Sequence, residues 1–248
     1  MNKYIYLFSA VMNMCVCQAS LAQMSAADSS SRQSALNNAI TLYNTSLGYQ
    51  APIFTGPEYY SYPPYIKGNA CFLDVNAFTP GSVYYDGTLY SHIFMLYDLY
   101  TDQVAIMLPN HVSKFNLLKE RVKSFDFLKN HFINIDADTL NNNTILKSGY
   151  YDQLYKGKLE VLAKYAKSIQ TSTSSISGLE NYFSSSKDYY LGKDNSYQTI
   201  NSQGALLDIL KDKKKELKQY IKANKIRYRD NPEEAMVKIA TYYDHLTN

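Results

Sequence analysis

The sequence predicts an α+β fold: a mostly antiparallel β-sheet, as a sandwich or open barrel, with one N-terminal helix and a C-terminal helical pair. Three observations predict it. Short apolar runs recur roughly every 8–12 residues through the middle of the chain, separated by turn residues. Near residue 203 the apolar period changes to that of a helix. The chain also holds 25 Tyr and 10 Phe but no Trp, and tyrosine suits half-buried sheet positions and wet recognition surfaces alike.

Composition narrows the class further. The 248 residues are 46% hydrophobic and only 19% charged, with a formal net charge of +3. That composition builds a core, and it excludes a charged coiled coil and a highly charged disordered chain. The charge is too small for a wholesale nucleic-acid binder.

Residues 1–22 read as a cleaved secretory signal peptide: Lys3 is the positive start, Tyr4–Cys17 the apolar stretch and Ser20-Leu21-Ala22 the small-residue cleavage motif. The stretch is short of the ~20 residues that span a bilayer, which disfavours an anchor. Met14 and Val16 stand where a lipobox before Cys15 or Cys17 wants small residues. The expected product is a periplasmic or envelope-associated protein with no transmembrane span. Cleavage removes Lys3, Cys15 and Cys17, leaving a net charge of +2 and a single cysteine, Cys71. One cysteine makes no internal disulfide and no cysteine zinc site. Its neighbours Ala70, Phe72 and Leu73 point to a small buried hydrophobe.

Residues 23–34 read as a flexible leader. Ala35, Leu36, Ala39, Ile40, Tyr43 and Leu47 recur at helical spacing and end at Gly48, predicting one short amphipathic helix. Pro57, Pro63 and Pro64 make residues 52–67 loop or edge rather than central strand. Val83-Tyr84-Tyr85 followed by Asp86-Gly87 predicts a hairpin into Thr88–Asp98. Further strands are expected at 104–108, 114–118, 122–128, 131–135, 150–155, 182–183, 188–191 and 197–200. Residues 158–167 fit a strand or a helix, and the strand is preferred. The run 171–177 reads as a flexible hairpin loop. Residues 35–202 thus form the helix and sheet body. Residues 203–248 form a helical hairpin: one helix over 203–224 carrying Leu206, Leu210, Leu217 and Ile221, and a second capped by Asn231 and begun by Pro232.

Candidate functional residues are few. Tyr59, Tyr60, Tyr62 and Tyr65 cluster in the proline-rich loop, where they could stack on sugar rings or dock a peptide, or simply lid the core. Residues 211–229 hold nine Lys/Arg against Asp212 and Glu216. Lys213, Lys214, Lys215, Lys218 and Lys222 therefore form either a basic contact surface for phosphate, lipid head groups or acidic polysaccharide, or a solvated helix face. Asp86, Asp98, Asp102 and Asp152 sit at predicted turns. Two could serve glycoside hydrolysis, although turn aspartates commonly bond the local backbone. His92, His111, His131 and His245 show no metal-ligand spacing, and no nucleophile elbow or phosphate loop is present, so no catalytic residue and no cofactor is expected.

Four stretches carry a likeness. They are Gly81–Tyr90, Met95–Val104, Gly149–Leu159, and Leu210–Lys222 followed by Asn231-Pro-Glu-Glu234. Through them the chain resembles a family of secreted proteins common in Bacteroidetes-type bacteria. The resemblance implies export, a sheet-rich body and a helical tail, and carries over no activity. The expected function is binding or scaffolding at the cell envelope, with an envelope protein or glycan as partner. An apolar-ligand carrier or a glycan-acting hydrolase using the turn aspartates is the alternative.

Overall fold

The computed structural model describes residues 25–140, 145–174 and 178–247; residues 1–22, expected from the sequence to be a signal peptide, lie outside them. The chain divides between Ser46 and Leu47 into two compact units, so the N-terminal helix belongs with its own unit and not with the sheet body.

That first unit holds α1, Ser25–Leu47, all but its last residue. The helix starts ten residues before its expected start, and most of the expected flexible leader is helical. Ala26, Ala27, Arg32, Gln33 and Ala35 are residues with little cost in a helix. The amphipathic stripe is not borne out: Leu36 and Tyr43 are exposed, as is Leu42.

The second unit is one open, eleven-stranded sheet with three helices. Its strands are β1 (Ile66–Lys67), β2 (Thr79–Tyr85), β3 (Thr88–Asp98), β4 (Gln103–Met107), β5 (Lys114–Asn116), β6 (Val122–Phe127), β7 (Asn130–Ile135), β8 (Gly149–Lys156), β9 (Glu160–Ser174), β10 (Gly178–Lys193) and β11 (Ser196–Thr199). They lie in the order β1-β10-β9-β8-β7-β6-β2-β3-β4-β5, with β11 also on β10. Only β1–β10 is parallel. The Asp86-Gly87 hairpin forms as expected, with φ of 47° and 76°, the left-handed pair a two-residue turn needs.

Of residues 158–167, those from Glu160 onward form strand, and successive side chains enter different apolar clusters on the two faces of the sheet. Val161, Ala163 and Tyr165 pack into the two larger apolar clusters, while Leu162 joins Ile135, Leu146 and Tyr151 in a third. The expected loop 171–177 is corrected through Ser174. Strand β9 runs on through the serines and threonines because β10 pairs with it residue by residue from Glu160 to Ser174. The short runs expected at 182–183 and 188–191 are parts of β10.

The largest cluster is aromatic. Phe125 stacks on Phe132 at 4.7 Å between ring centres, and Phe72, Tyr97 and Tyr150 meet them edge-on. The second cluster lies under the C-terminal helices α2 (Gln203–Ile209), α3 (Lys214–Ala223) and α4 (Pro232–Leu246). The single helix expected over 203–224 is broken: a 3-10 turn, Lys211–Lys213, separates α2 from α3. The break lets Asp212 accept from Lys193 Nζ at 2.9 Å and Tyr243 Oη at 2.9 Å, while Leu210 and Leu217 both stay buried. Helix α4 is capped as read: Asn231 accepts from the Glu234 amide, and Pro232 takes the first turn.

Candidate functional site

The proline-rich loop is pinned at both ends. The Tyr59 amide donates to the Lys114 carbonyl at 2.9 Å, and Ile66 pairs with Asn181 of β10. Its middle is pinned too. Tyr62 donates its hydroxyl to Asp98 Oδ2 at 2.7 Å, and its ring meets Tyr100 and Phe183 edge-on at 5.6 and 5.1 Å.

Asp98 is fully buried and earns its place as a turn residue. Its Oδ1 accepts from the Tyr100 and Thr101 amides, fixing the β3–β4 turn. Burial, with the Asp98 carboxylate beside them, pushes the Tyr59 and Tyr62 hydroxyls far above their ordinary pKa, so both stay protonated donors. The four tyrosines therefore split. Tyr59 and Tyr62 are half-buried anchors. Tyr60 and Tyr65 are presented to solvent, 74% and 70% exposed.

On α3, Leu217 and Ile221 are buried while Lys215, Lys218 and Lys222 face solvent. Lys213 and Lys214 are half-buried, and Lys214 pairs with Asp208 at 2.5 Å. The arrangement is that of a solvated face with its leucines turned inward.

The four aspartates do not converge on one site. Asp86 pairs with Arg121 at 3.3 Å. Asp102 is held by Lys119 at 2.5 Å, Lys164 at 2.8 Å and the Tyr97 hydroxyl at 2.6 Å. Burial works to raise its carboxyl, but Lys164, Lys119 and Tyr97 outweigh that and keep it below the ordinary range. Burial in turn lowers Lys164, with Asp102 opposing. Asp152 corrects the sequence reading: it is not at a turn but inside β8, and 2% exposed. It accepts from Asn130 Nδ2 at 2.6 Å and from the Tyr165 hydroxyl at 3.3 Å. Burial pushes it up to about 6; Asn130 and Tyr165 pull it back, and the Glu233 charge raises it.

Tyr165 also bonds Glu233 Oε1 at 3.0 Å, an oxygen shared with Lys187 at 2.7 Å and Tyr189 at 3.2 Å. Partial burial raises Glu233, but Lys187 and the two tyrosines hold it below its usual value. This node joins β8, β9 and β10 to the first turn of α4. Glu233 stands in the first turn of α4, where an acid suits the helix dipole, and nothing in its sequence surroundings points to this node.

Asp244 was missed altogether as a structural residue. It takes the Lys158 amide at 2.6 Å, the Leu159 amide at 3.2 Å and the Tyr155 hydroxyl at 3.0 Å, tying α4 to the β8–β9 turn. A signal was present: an acid in a last helical turn opposes the helix dipole and wants another reason to be there. Lys167 was also missed. It is buried, with Nζ on Asp74 at 2.5 Å and on the Asn69 carbonyl at 2.9 Å.

Cys71 is buried as expected, and burial raises its thiol to about 11, which leaves it inert. His131 bonds Asp126 at 2.6 Å, His111 lies edge-on to Phe94, and His245 stacks on Tyr242. Among the described residues no three His, Cys, Asp or Glu side chains gather as metal ligands would. No described helix is long and apolar enough to cross a membrane.

A cleft of about 880 Å³ opens between the β8–β9 and β10–β11 turns, with Lys156, Lys158, Lys193, Glu160 and Tyr197 among its lining. Glu160 is taken up by Gln153 and Tyr197, both at 2.5 Å, Lys158 by the Thr247 carbonyl, and Lys193 by Asp212. The cleft therefore spends most of its charge on holding neighbouring segments together. Comparison of the chain with protein-family models, with curated proteins and with solved structures finds no match.

Proposed function

We propose that the chain is a non-catalytic binding or scaffolding protein of the cell envelope, and that it takes an envelope protein or glycan on the loop bearing Tyr60 and Tyr65. The observation that carries this reading is the contrast within that loop. Two tyrosines are exposed while the backbone between them is held by the Tyr62–Asp98 hydrogen bond and by pairing at both ends. Large amphipathic rings on a fixed loop bind at a small entropic cost. The envelope location rests on the signal-peptide pattern of residues 1–22 and on the family resemblance.

The alternatives find less support. The acids a hydrolase would need are each bound into a separate structural node. The main core, where an apolar ligand would be expected, is already filled by interlocked rings.

The test is capture of cross-linked partners from the envelope by the wild-type chain and by a Tyr60→Ala/Tyr65→Ala variant. The variant is expected to lose most of the captured material while its melting temperature stays within a few degrees. Capture unchanged by the double substitution overturns the surface assignment. Tyr62 is unsuitable for this purpose, because removing it takes the hydroxyl donor from buried Asp98 Oδ2 and loses the ring contacts with Tyr100 and Phe183.

A further inference from the structure

The sheet treats its edges unequally. Strand β5 is closed by a strap: Glu58 bridges Phe115, the Tyr59 amide donates to the Lys114 carbonyl, and the Asn116 amide donates to the Pro57 carbonyl at 2.8 Å. Strands β1 and β11 are two and four residues long. The open flank of β10 carries Lys187 and Asp188. These are the usual protections of an edge: cover, shortness and charge.

Strand β9 lacks them. Its pairing with β8 ends at Ala163, and its last backbone contact with the β3–β4 turn is the Lys167 amide on the Leu99 carbonyl. Beyond it, Ser168-Ile169-Gln170-Thr171-Ser172-Thr173 has β10 on one side only and, among the described residues, no backbone partner on the other. The segment has no charge and no proline, and all but Ile169 are exposed.

We propose that this edge pairs antiparallel with the same edge of a second copy, about a two-fold axis through Thr171. Such an axis, normal to the sheet, sets residues of like parity opposite each other: Thr171 against Thr171, Gln170 against Ser172, Ile169 against Thr173. Every such pair is uncharged, and the β-branched residues face one another, which is the favourable cross-strand arrangement. The segment is thus complementary to itself along the whole register, with no like charges to oppose a second copy. A two-fold pairing also closes, leaving no further edge to propagate. The inference is independent of the tyrosine-loop reading, since the loop borders β10 through β1 and not the free flank of β9.

Sedimentation equilibrium of the purified chain tests it. The wild type is expected to dimerise with a dissociation constant below about 100 µM. Thr171→Lys places two like charges face to face and weakens the dimer about tenfold or more. An equal mixture of Thr171→Lys and Thr171→Glu chains restores association as a heterodimer, which a merely unfolded hairpin would not do. A wild-type chain that stays monomeric at that concentration overturns the proposal and leaves the edge to a foreign strand. A dimer indifferent to Thr171→Lys overturns it as well.

Discussion

Asp152 shows what a single buried carboxyl does to this molecule. Its folded pKa of about 6 stands above the ordinary value of 3.8. The folded state therefore holds the proton more tightly than the unfolded chain does. The stability this group adds is full below 3.8 and is lost as the pH rises through about 6, a swing of about 3 kcal/mol. Asp102 and Glu233, held low by their lysines, work the other way: their contributions are present above the ordinary carboxylate values and vanish on acidification. Asp152→Asn isolates the first effect. The variant should melt several degrees above the wild type at pH 7.5 and close to it at pH 4.5, by calorimetry at both values. An equal loss at both would show that the hydrogen bonds to Asn130 and Tyr165 matter more than the buried charge. The sequence reading grouped Asp152 with Asp86, Asp98 and Asp102 as turn aspartates. Burial inside β8 depends on β7 and β9 on either side, partners that no local pattern names.

At the scale of elements, the reading from sequence succeeded where local chemistry decides. The Asp86-Gly87 turn, the Asn231 cap and the Pro232 start are each dictated within four residues. It failed where a distant partner decides. The serines and threonines of 168–174 are extended because β10 lies beside them, and the helix at 203–224 breaks where Asp212 finds Lys193 and Tyr243. The docking of α4 is of this second kind and yields a prediction. A Cβ at Gly157 would stand 2.0 Å from Asp244 Oδ2, the oxygen that receives the Lys158 amide and the Tyr155 hydroxyl. Gly157→Ala should cost about 1–3 kcal/mol in urea unfolding, the range for overpacking a well-filled site. A cost near zero would mean that α4 is not clamped to the β8–β9 turn.

For the whole molecule, composition and period were enough to read a mostly antiparallel sheet with a C-terminal helical pair, but left its form as a sandwich or open barrel where the structure has one open sheet. They were not enough to divide the tyrosines into anchors and contacts. Tyr59, Tyr60, Tyr62 and Tyr65 are chemically alike and close in sequence. What separates them is Asp98, some forty residues away, together with Tyr100 and Phe183. The same holds for the lysines, whose solvated face was legible from the opposed leucines while the half-buried Lys164 and the buried Lys167 were not. The candidate site was thus half legible: its residues were in the sequence, and its geometry was in the pairing of distant strands.

We propose above all that the loop presents Tyr60 and Tyr65 to a partner in the envelope. A photo-activated cross-linker placed at position 60, in living cells, tests it most directly, with the same group at the exposed Leu89 as control. The account predicts a discrete adduct from position 60, none from position 89, and loss of the adduct when Tyr65→Ala is added. No adduct at position 60, or the same adducts from both positions, would contradict it.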